Sequence, residues 1–374
     1  MEFVCALCNT VVSAGPQALR CPRCGGVLDI AQRIPFAPDL IEATDPSLWR
    51  YRAMIALPEG TAPVTMGEGL TPLVPATFAG QQVHFKLEYL APTGAFKDRG
   101  TGVLISALKH WGVERAADDS SGNAGASFAA YSAKTGIAAE VFAPAHASPA
   151  KLAQIEVYGA TLHRIEGVRE KTTEALEAAV AGGVVYASHA WSPFTLEGTK
   201  TIAYELWEQV TGRVGAAAAS PQSSGAPDYF VSPIGQGSLF LGAYRGFKDL
   251  AAAGLIGRLP RMIGVQSTGC PPIVEAVRQG RDRAGDIEKR PSVAEGIALA
   301  RPIRDREILQ AIRETGGDAV AVSDEEIRAG QRALARIGLY VEPTSAVVAA
   351  ALLRCRLPGV VVGALTGSGL KSAM

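Results

Sequence analysis

The chain has 374 residues, 48 % of them hydrophobic and 19 % charged, and its 36 Lys plus Arg balance 36 Asp plus Glu. That length implies about two or three domains, and the composition is that of a soluble globular protein with a large buried interior. The zero net balance excludes the electrostatic signature of a nucleic-acid or membrane-surface binder, and no apolar run is long enough to span a bilayer.

The chain opens Met1-Glu2-Phe3-Val4-Cys5, with neither a basic nor an apolar signal region, so the cytoplasm is the expected compartment. Four of the six cysteines follow at once, as Cys5-x-x-Cys8 and Cys21-Pro22-Arg23-Cys24-Gly25-Gly26. Two such pairs on turn-rich backbone can set four thiolates tetrahedrally around Zn²⁺, and four thiolates close the shell, which makes the metal structural. A module of about thirty residues needs a staple of this kind. Cys270 and Cys355 stand alone in apolar surroundings and are expected in the core.

From Ile34 to Pro63 the sequence reads as a connecting arm, followed by the Gly/Pro turn Gly67–Leu73 and a strand at Val83–Glu88. Next comes Ala91-Pro92-Thr93-Gly94-Ala95-Phe96-Lys97-Asp98-Arg99-Gly100, which holds a lysine between a Pro/Gly turn and a helical run. Asp98 at the helix start suits the free N–H groups there. The positive field at that end disfavours a charged lysine, the condition for an amine that forms Schiff bases.

Beyond this turn, helical periodicity is expected at Val103–His110, Ala124–Thr135, Pro149–Tyr158, Lys171–Val180, Thr199–Val210, Leu239–Ala252, Asp324–Arg336 and Ser345–Leu353. Strands are expected at Ala138–Phe142, Thr161–Ile165, Val184–Ser188, Tyr229–Ser232, Arg261–Gln266, Ala319–Val322 and Val360–Leu365. This alternation predicts an α/β fold of mainly parallel sheets, with the site beyond the carboxyl ends of the strands. Residues 212–228 are small, polar and Pro/Gly-rich, and read as a surface insertion.

Three glycine loops interrupt the alternation. Asp119-Ser120-Ser121-Gly122-Asn123-Ala124-Gly125 opens a helix and suits a carboxylate or phosphate. Ser232-Pro233-Ile234-Gly235-Gln236-Gly237-Ser238 lies between a strand and a helix and lacks the spacing of a dinucleotide fingerprint, so a single phosphate fits it better. Leu365-Thr366-Gly367-Ser368-Gly369-Leu370-Lys371 follows the last strand, and Thr366 or Ser368 can offer a neutral hydroxyl to a buried heterocycle. A Schiff-base lysine, a monophosphate cradle, a carboxylate site with an amide and a late hydroxyl together describe pyridoxal phosphate bound with an amino-acid substrate.

The motifs GEGLTPL (Gly67–Leu73), KLEYLAPTGAFKDRG (Lys86–Gly100), SSGNAG (Ser120–Gly125), Leu196-Glu197-Gly198-x-Lys200-Thr201, Gly235–Ser238, Glu342-Pro343-x-Ser345-Ala346 and LTGSGLK (Leu365–Lys371) resemble those of the fold-type II pyridoxal-phosphate enzymes, and most of all the threonine synthases. The resemblance runs from about residue 65 to the end. A cysteine-rich extension before this domain also occurs among threonine synthases. It implies the architecture of the tryptophan synthase β-like fold, two doubly wound open sheets plus an amino-terminal zinc ribbon. The expected domains are 1–33 (zinc ribbon), 34–96 with 190–374 (large cofactor domain) and 97–189 (small substrate domain).

The resemblance also implies roles. Lys97 would carry the cofactor as a Schiff base and then act as acid and base. Asn123 would bond the cofactor's phenolic oxygen, Gly235, Gln236, Gly237, Ser238 and Leu239 its phosphate, and Thr366 its ring nitrogen. Ser120, Ser121 and Ala124 would hold the substrate carboxylate. Thr195 stands where threonine synthases commonly place an arginine for the substrate's own phosphate, and Ser368 stands where they commonly place a histidine. Ala91 and Ala95 likewise replace the polar residues of the family's usual turn.

The implied activity is a lyase reaction of O-phospho-L-homoserine and water to L-threonine and phosphate, by a homodimer whose partner is a small amino acid. Two alternatives are β-elimination or β-replacement on serine, threonine or a related amino acid, with Trp191 and Phe194 shaping an apolar pocket, and a catalytically silent protein docking through its zinc module. The metal ligands would be Cys5, Cys8, Cys21 and Cys24.

Overall fold

The computed structural model describes residues 1–145, 147, 149–167, 169–213 and 225–371. Most of the expected insertion (212–228) lies outside these residues. The amino-terminal module pairs β1 (Glu2–Cys5) with β2 (Val11–Ser13) and β3 (Leu28–Ile30) in an antiparallel sheet of order β2-β1-β3. It is not a loosely tethered unit. Phe3 meets Phe194 edge-on at 5.7 Å, and Asp29 takes Arg245 and Arg304 at 2.9 Å each. The arm after it is also packed in, because Leu48, Trp49, Arg50, Tyr51 and Met54 are all buried in a 3₁₀ segment. Glu68 of the Gly67–Leu73 turn, itself buried, accepts from Trp49 Nε1 at 3.1 Å and from Tyr131 at 2.7 Å.

The chain then runs β4 (Leu73–Phe78), β5 (Gln81–Lys86), α1 (Lys97–His110), β6 (Arg115–Asp118), α2 (Asn123–Thr135), β7 (Ala138–Pro144), α3 (Pro149–Val157), β8 (Thr161–Ile165), α4 (Arg169–Ala181) and β9 (Val185–Tyr186). It continues with α5 (Phe194–Thr199), α6 (Thr201–Val210), β10 (Tyr229–Pro233), α7 (Ser238–Ala252), β11 (Arg261–Ser267), α8 (Pro272–Arg278), α9 (Asp305–Glu314), β12 (Asp318–Val322), α10 (Asp324–Ala335), α11 (Pro343–Arg354) and β13 (Val361–Ala364).

One sheet has the order β12-β11-β10-β13-β5-β4 and is parallel except for β4, which forms an antiparallel hairpin with β5. The other has the order β8-β7-β6-β9 and is wholly parallel. Helices cover both sheets, as buried parallel strands require: β10 and β13 are buried at every position. Local chemistry agrees with the elements where it can be read. Ser323 and Glu326 close a capping box at the start of α10. The expected Thr199–Val210 helix is instead α5 followed by α6, so the helical run begins earlier, at Phe194. Cys270 is buried as expected, whereas Cys355 is partly exposed because it follows the last turn of α11. Among the described residues, no helix is long and apolar enough to cross a membrane.

Candidate active site

The strand topology brings the carboxyl ends of β5, β10 and β13 together with those of β6, β7 and β9. Their loops enclose one cavity of about 1130 Å³. Lys97, Ser120, Ser121, Gly122, Asn123, Ala124, Gly235, Gln236, Gly237, Ser238, Leu239 and Thr366 all line it. Segments far apart in the chain therefore meet.

Lys97 is the first residue of α1. The turn before it is clamped to the loop after β13, because Phe96 N donates to Thr366 O at 3.0 Å and Ser368 N donates to Gly94 O at 3.0 Å. Asp98 does not cap the helix. Its buried carboxylate accepts from Thr93 N and Oγ1 at 2.7 Å each and from Ser127 Oγ at 2.6 Å, so it ties the turn to α2. Burial pulls the Lys97 ammonium down to about 8, while Asp118 and Glu342 pull it the other way. The sequence expectation of a depressed lysine thus stands, with a different cause: loss of water dominates.

The loop after β6 delivers Asn123 to the start of α2. Asn123 Nδ2 donates to Glu342 Oε1 at 2.7 Å, and its Oδ1 is buried with no partner. The loop after β10 enters α7 through Gly237 at φ +83°, a conformation that disfavours a side chain. Gln236 Oε1 accepts from Ile303 N at 3.0 Å, so that side chain anchors the 299–303 wall. Thr366 N donates to Ser345 Oγ at 2.8 Å, and its buried Oγ1 has no partner.

Thr195 is a correction. It is buried in α5, and it is not among the cavity's residues. A Cβ on Gly100 would lie 2.6 Å from its Cγ2, so its methyl group packs against α1, and its Oγ1 is buried without a partner. Phe194 is likewise in the core, 5.7 Å from Phe3 and 5.6 Å from Trp111, and only Trp191 of that pair lines the cavity.

Sequence reasoning missed Glu342. Its motif was visible but carried no role, yet the buried carboxylate joins Asn123 to Lys151, whose Nζ lies at 3.4 Å. It also missed His189, 3.7 Å from Asp118, and the module residues Gln17, Leu19 and Arg20 on the cavity wall. No local signal in the sequence places these residues.

In the same module, the Cys5, Cys8, Cys21 and Cys24 sulfurs all lie within 4.8 Å of one another. Three of their separations are 3.4, 3.5 and 3.6 Å.

The family model of the pyridoxal-phosphate dependent enzymes matches residues 64–366. A threonine synthase of Methanosarcina acetivorans is 33 % identical over 367 residues, covering 96 % of this chain and 87 % of that protein. One from Mycobacterium bovis is 34 % identical over 336 residues, covering 86 % and 87 %. Among solved structures, a threonine deaminase of T.th. matches with a TM-score of 0.67 at 26 % identity, covering 80 % of this chain and 92 % of that one. A maize serine racemase matches with a TM-score of 0.66 at 22 % identity, covering 80 % and 88 %. The chain belongs to the pyridoxal-phosphate dependent enzymes, with the fold-type II architecture, and is a lyase of the threonine synthase type.

Proposed function

We propose that the chain converts O-phospho-L-homoserine and water into L-threonine and phosphate, by γ-elimination followed by β-addition of water. The observation that carries this reading is the convergence of Lys97, two helix starts and an unpartnered hydroxyl on one cavity, in a chain similar along most of its length to threonine synthases. The site fits pyridoxal phosphate: an amine depressed to about 8 stands with two buried polar atoms, Asn123 Oδ1 and Thr366 Oγ1, that have no protein partner.

In this reading Lys97 would hold the cofactor covalently, Asn123 would bond its phenolic oxygen, the Gly235–Leu239 amides would take its phosphate and Thr366 would bond its ring nitrogen. Ser120, Ser121 and the start of α2 at Ala124 take the substrate carboxylate. When bound, pyridoxal phosphate supplies an electron sink for negative charge at the substrate carbons. Lys97 accepts and returns the protons at those carbons, a task suited to an amine that titrates near 8. Thr366 offers a neutral hydroxyl, which does not hold a proton on the ring as a carboxylate would, and this favours elimination and replacement over transamination.

Cys5, Cys8, Cys21 and Cys24 would hold Zn²⁺. A tetrahedron with Zn–S bonds of about 2.3 Å has edges of about 3.8 Å, close to three of the sulfur separations, 3.4–3.6 Å, and within the 4.8 Å that bounds them all. The proposal retains a metal module (1–33), a large cofactor domain (34–96 and 190–374) and a small substrate domain (97–189). It also retains a cytoplasmic homodimer, whose pairing rests on the family resemblance.

One observation favours a second reading, β-elimination or β-replacement on serine, threonine or a related amino acid: Thr195 stands where the family commonly places a phosphate-binding arginine, and it is not among the cavity's residues. Product analysis separates the two. Phosphate and L-threonine from O-phospho-L-homoserine support the first. A keto acid and ammonia from serine or threonine, with no phosphate release, overturn it.

A further inference from the structure

We propose that Arg20, contributed by the amino-terminal module, binds the anionic end of the substrate side chain. This makes the module a wall of the substrate pocket as well as a folding unit, and it deepens the reading above and rests on it. Gln17, Leu19 and Arg20 line the same cavity as Lys97 and the three glycine loops. The Arg20 guanidinium lies over the Trp191 ring, 4.4 Å from its centroid. Trp191 and His189 line the cavity too, and both belong to the 188–195 stretch in which the sequence lacks the expected arginine. Arg20 therefore returns a guanidinium to that part of the pocket from a different element.

Stacking on an indole holds the guanidinium plane and leaves its edge N–H groups free to meet two oxygens at once. A phosphate is the group such a fork fits best. Among the described residues, no carboxylate forms an ion pair with Arg20. The other cations on the cavity wall are less suited. Lys151 is committed to Glu342 at 3.4 Å, and Arg290 is an exposed side chain 3.5 Å from Glu288. Lys97 belongs to the cofactor in this reading. Arg20 is itself exposed, as Lys289 and Arg290 are, but Lys289 is a point charge with no ring partner among the described residues. The module is also held firmly enough to position a ligand group, because Asp29 bridges to Arg245 and Arg304 and Phe3 is buried against Phe194.

The test uses the full-length enzyme loaded with its cofactor, and a non-hydrolysable phosphonate analogue of O-phospho-L-homoserine. Binding is followed by calorimetry and by the change in cofactor absorbance, with L-threonine as the comparison ligand that lacks the anion. Arg20→Gln weakens phosphonate binding by about tenfold to a hundredfold, the range of one charge-assisted contact, and leaves L-threonine affinity within about twofold. Arg20→Lys keeps the charge but not the stack and recovers part of the loss. Trp191→Leu removes the platform from the opposite side, without touching the module, and reproduces a loss selective for the phosphonate. Rising salt weakens the phosphonate in the wild type and has less effect on Arg20→Gln. Equal phosphonate affinity in wild type and Arg20→Gln overturns the proposal, as does an equal loss for both ligands. A wild type that binds L-threonine but neither binds the phosphonate nor releases phosphate overturns the reaction assignment itself.

Discussion

The most direct test of the Lys97 assignment is the pH dependence of cofactor capture by the apoprotein. Only the neutral amine attacks the cofactor's aldehyde. At pH 7 an ordinary lysine at 10.5 is neutral in about 3 molecules in ten thousand, whereas one at about 8 is neutral in roughly a tenth, a gain of about 300-fold. The sign follows from the cause: burial disfavours the ammonium, so the reactive form accumulates as pH rises through about 8 and little is gained above 9. Asp118 and Glu342 favour the ammonium, so Glu342→Gln should move the midpoint further down. The measurement is the rate of recombination between pH 6 and 10.5, read from the absorbance of the lysine-bound cofactor and corrected for a free-amine control. A wild-type rate that climbs through pH 9 to a midpoint near 10.5 would refute the burial argument, as would an upward shift in Glu342→Gln.

Lys97→Ala should lose both the lysine-bound cofactor absorbance and turnover by several orders of magnitude; full activity in that variant would falsify the assignment of the amine. Chelating the metal should expose residues 1–33 to protease while the cofactor absorbance persists, and a metal assay should find about one zinc per chain before treatment; bleaching of the cofactor on chelation contradicts a structural role. Glu205→Gln leaves Lys86 and Arg99 facing the single carboxylate Glu88 in a fully buried network, at a cost of about 3–5 kcal/mol, measured as a fall in melting temperature. Adding Lys86→Met restores neutrality and should recover part of that loss, so strict additivity of the two substitutions tells against the network. The Glu205 carboxyl is held down to about 2, so its share of stability is present above the ordinary carboxylate range and is lost as pH falls through about 2.

The sequence carried most of this arrangement where local chemistry and tertiary position agree. Alternating strands and helices, the paired cysteines and the three glycine loops could be read because each is a local pattern with a backbone reason. Strand β6 escaped because Arg115-Ala116-Ala117-Asp118 has no β-branched residue; it is a strand because β7 and β9 pair with it on both sides. Helix α9 escaped although Ile308, Leu309, Ala311 and Ile312 form a buried stripe, because that short apolar period is flanked by charged residues on both sides. Thr195 was placed at the site by its neighbours in sequence, but it lies outside the cavity's lining, buried where α5 closely approaches α1. Arg20 had no signal at all, because its role depends on a tryptophan that only the docking of the module brings near.

Helix α1 carries two cations, Lys97 and Arg99, that the protein treats in opposite ways. Arg99 is fully buried, and burial alone would weaken its charge. Glu205 and Glu88 outweigh that loss and hold the guanidinium well above its ordinary range. Each carboxylate meets it with two hydrogen bonds, at 2.6 and 2.7 Å for Glu88 and at 2.5 and 2.7 Å for Glu205. Lys86 completes a neutral group of four by donating to Glu205 at 2.8 Å. Lys97, two residues earlier on the same helix, forms no ion pair among the described residues; its acids, Asp118 and Glu342, act on it without a direct bond. Local sequence therefore does not set the protonation of this helix. Two carboxylates bonded directly to Arg99 outweigh its desolvation, whereas the remote ones near Lys97 do not, and Lys86, with Glu205 alone attached, is also pulled down by burial. The neutral quartet ties β5, α1 and α6 together beneath the turn, so the start of α1 can hold an amine at the cavity's edge without an ion pair of its own to anchor it.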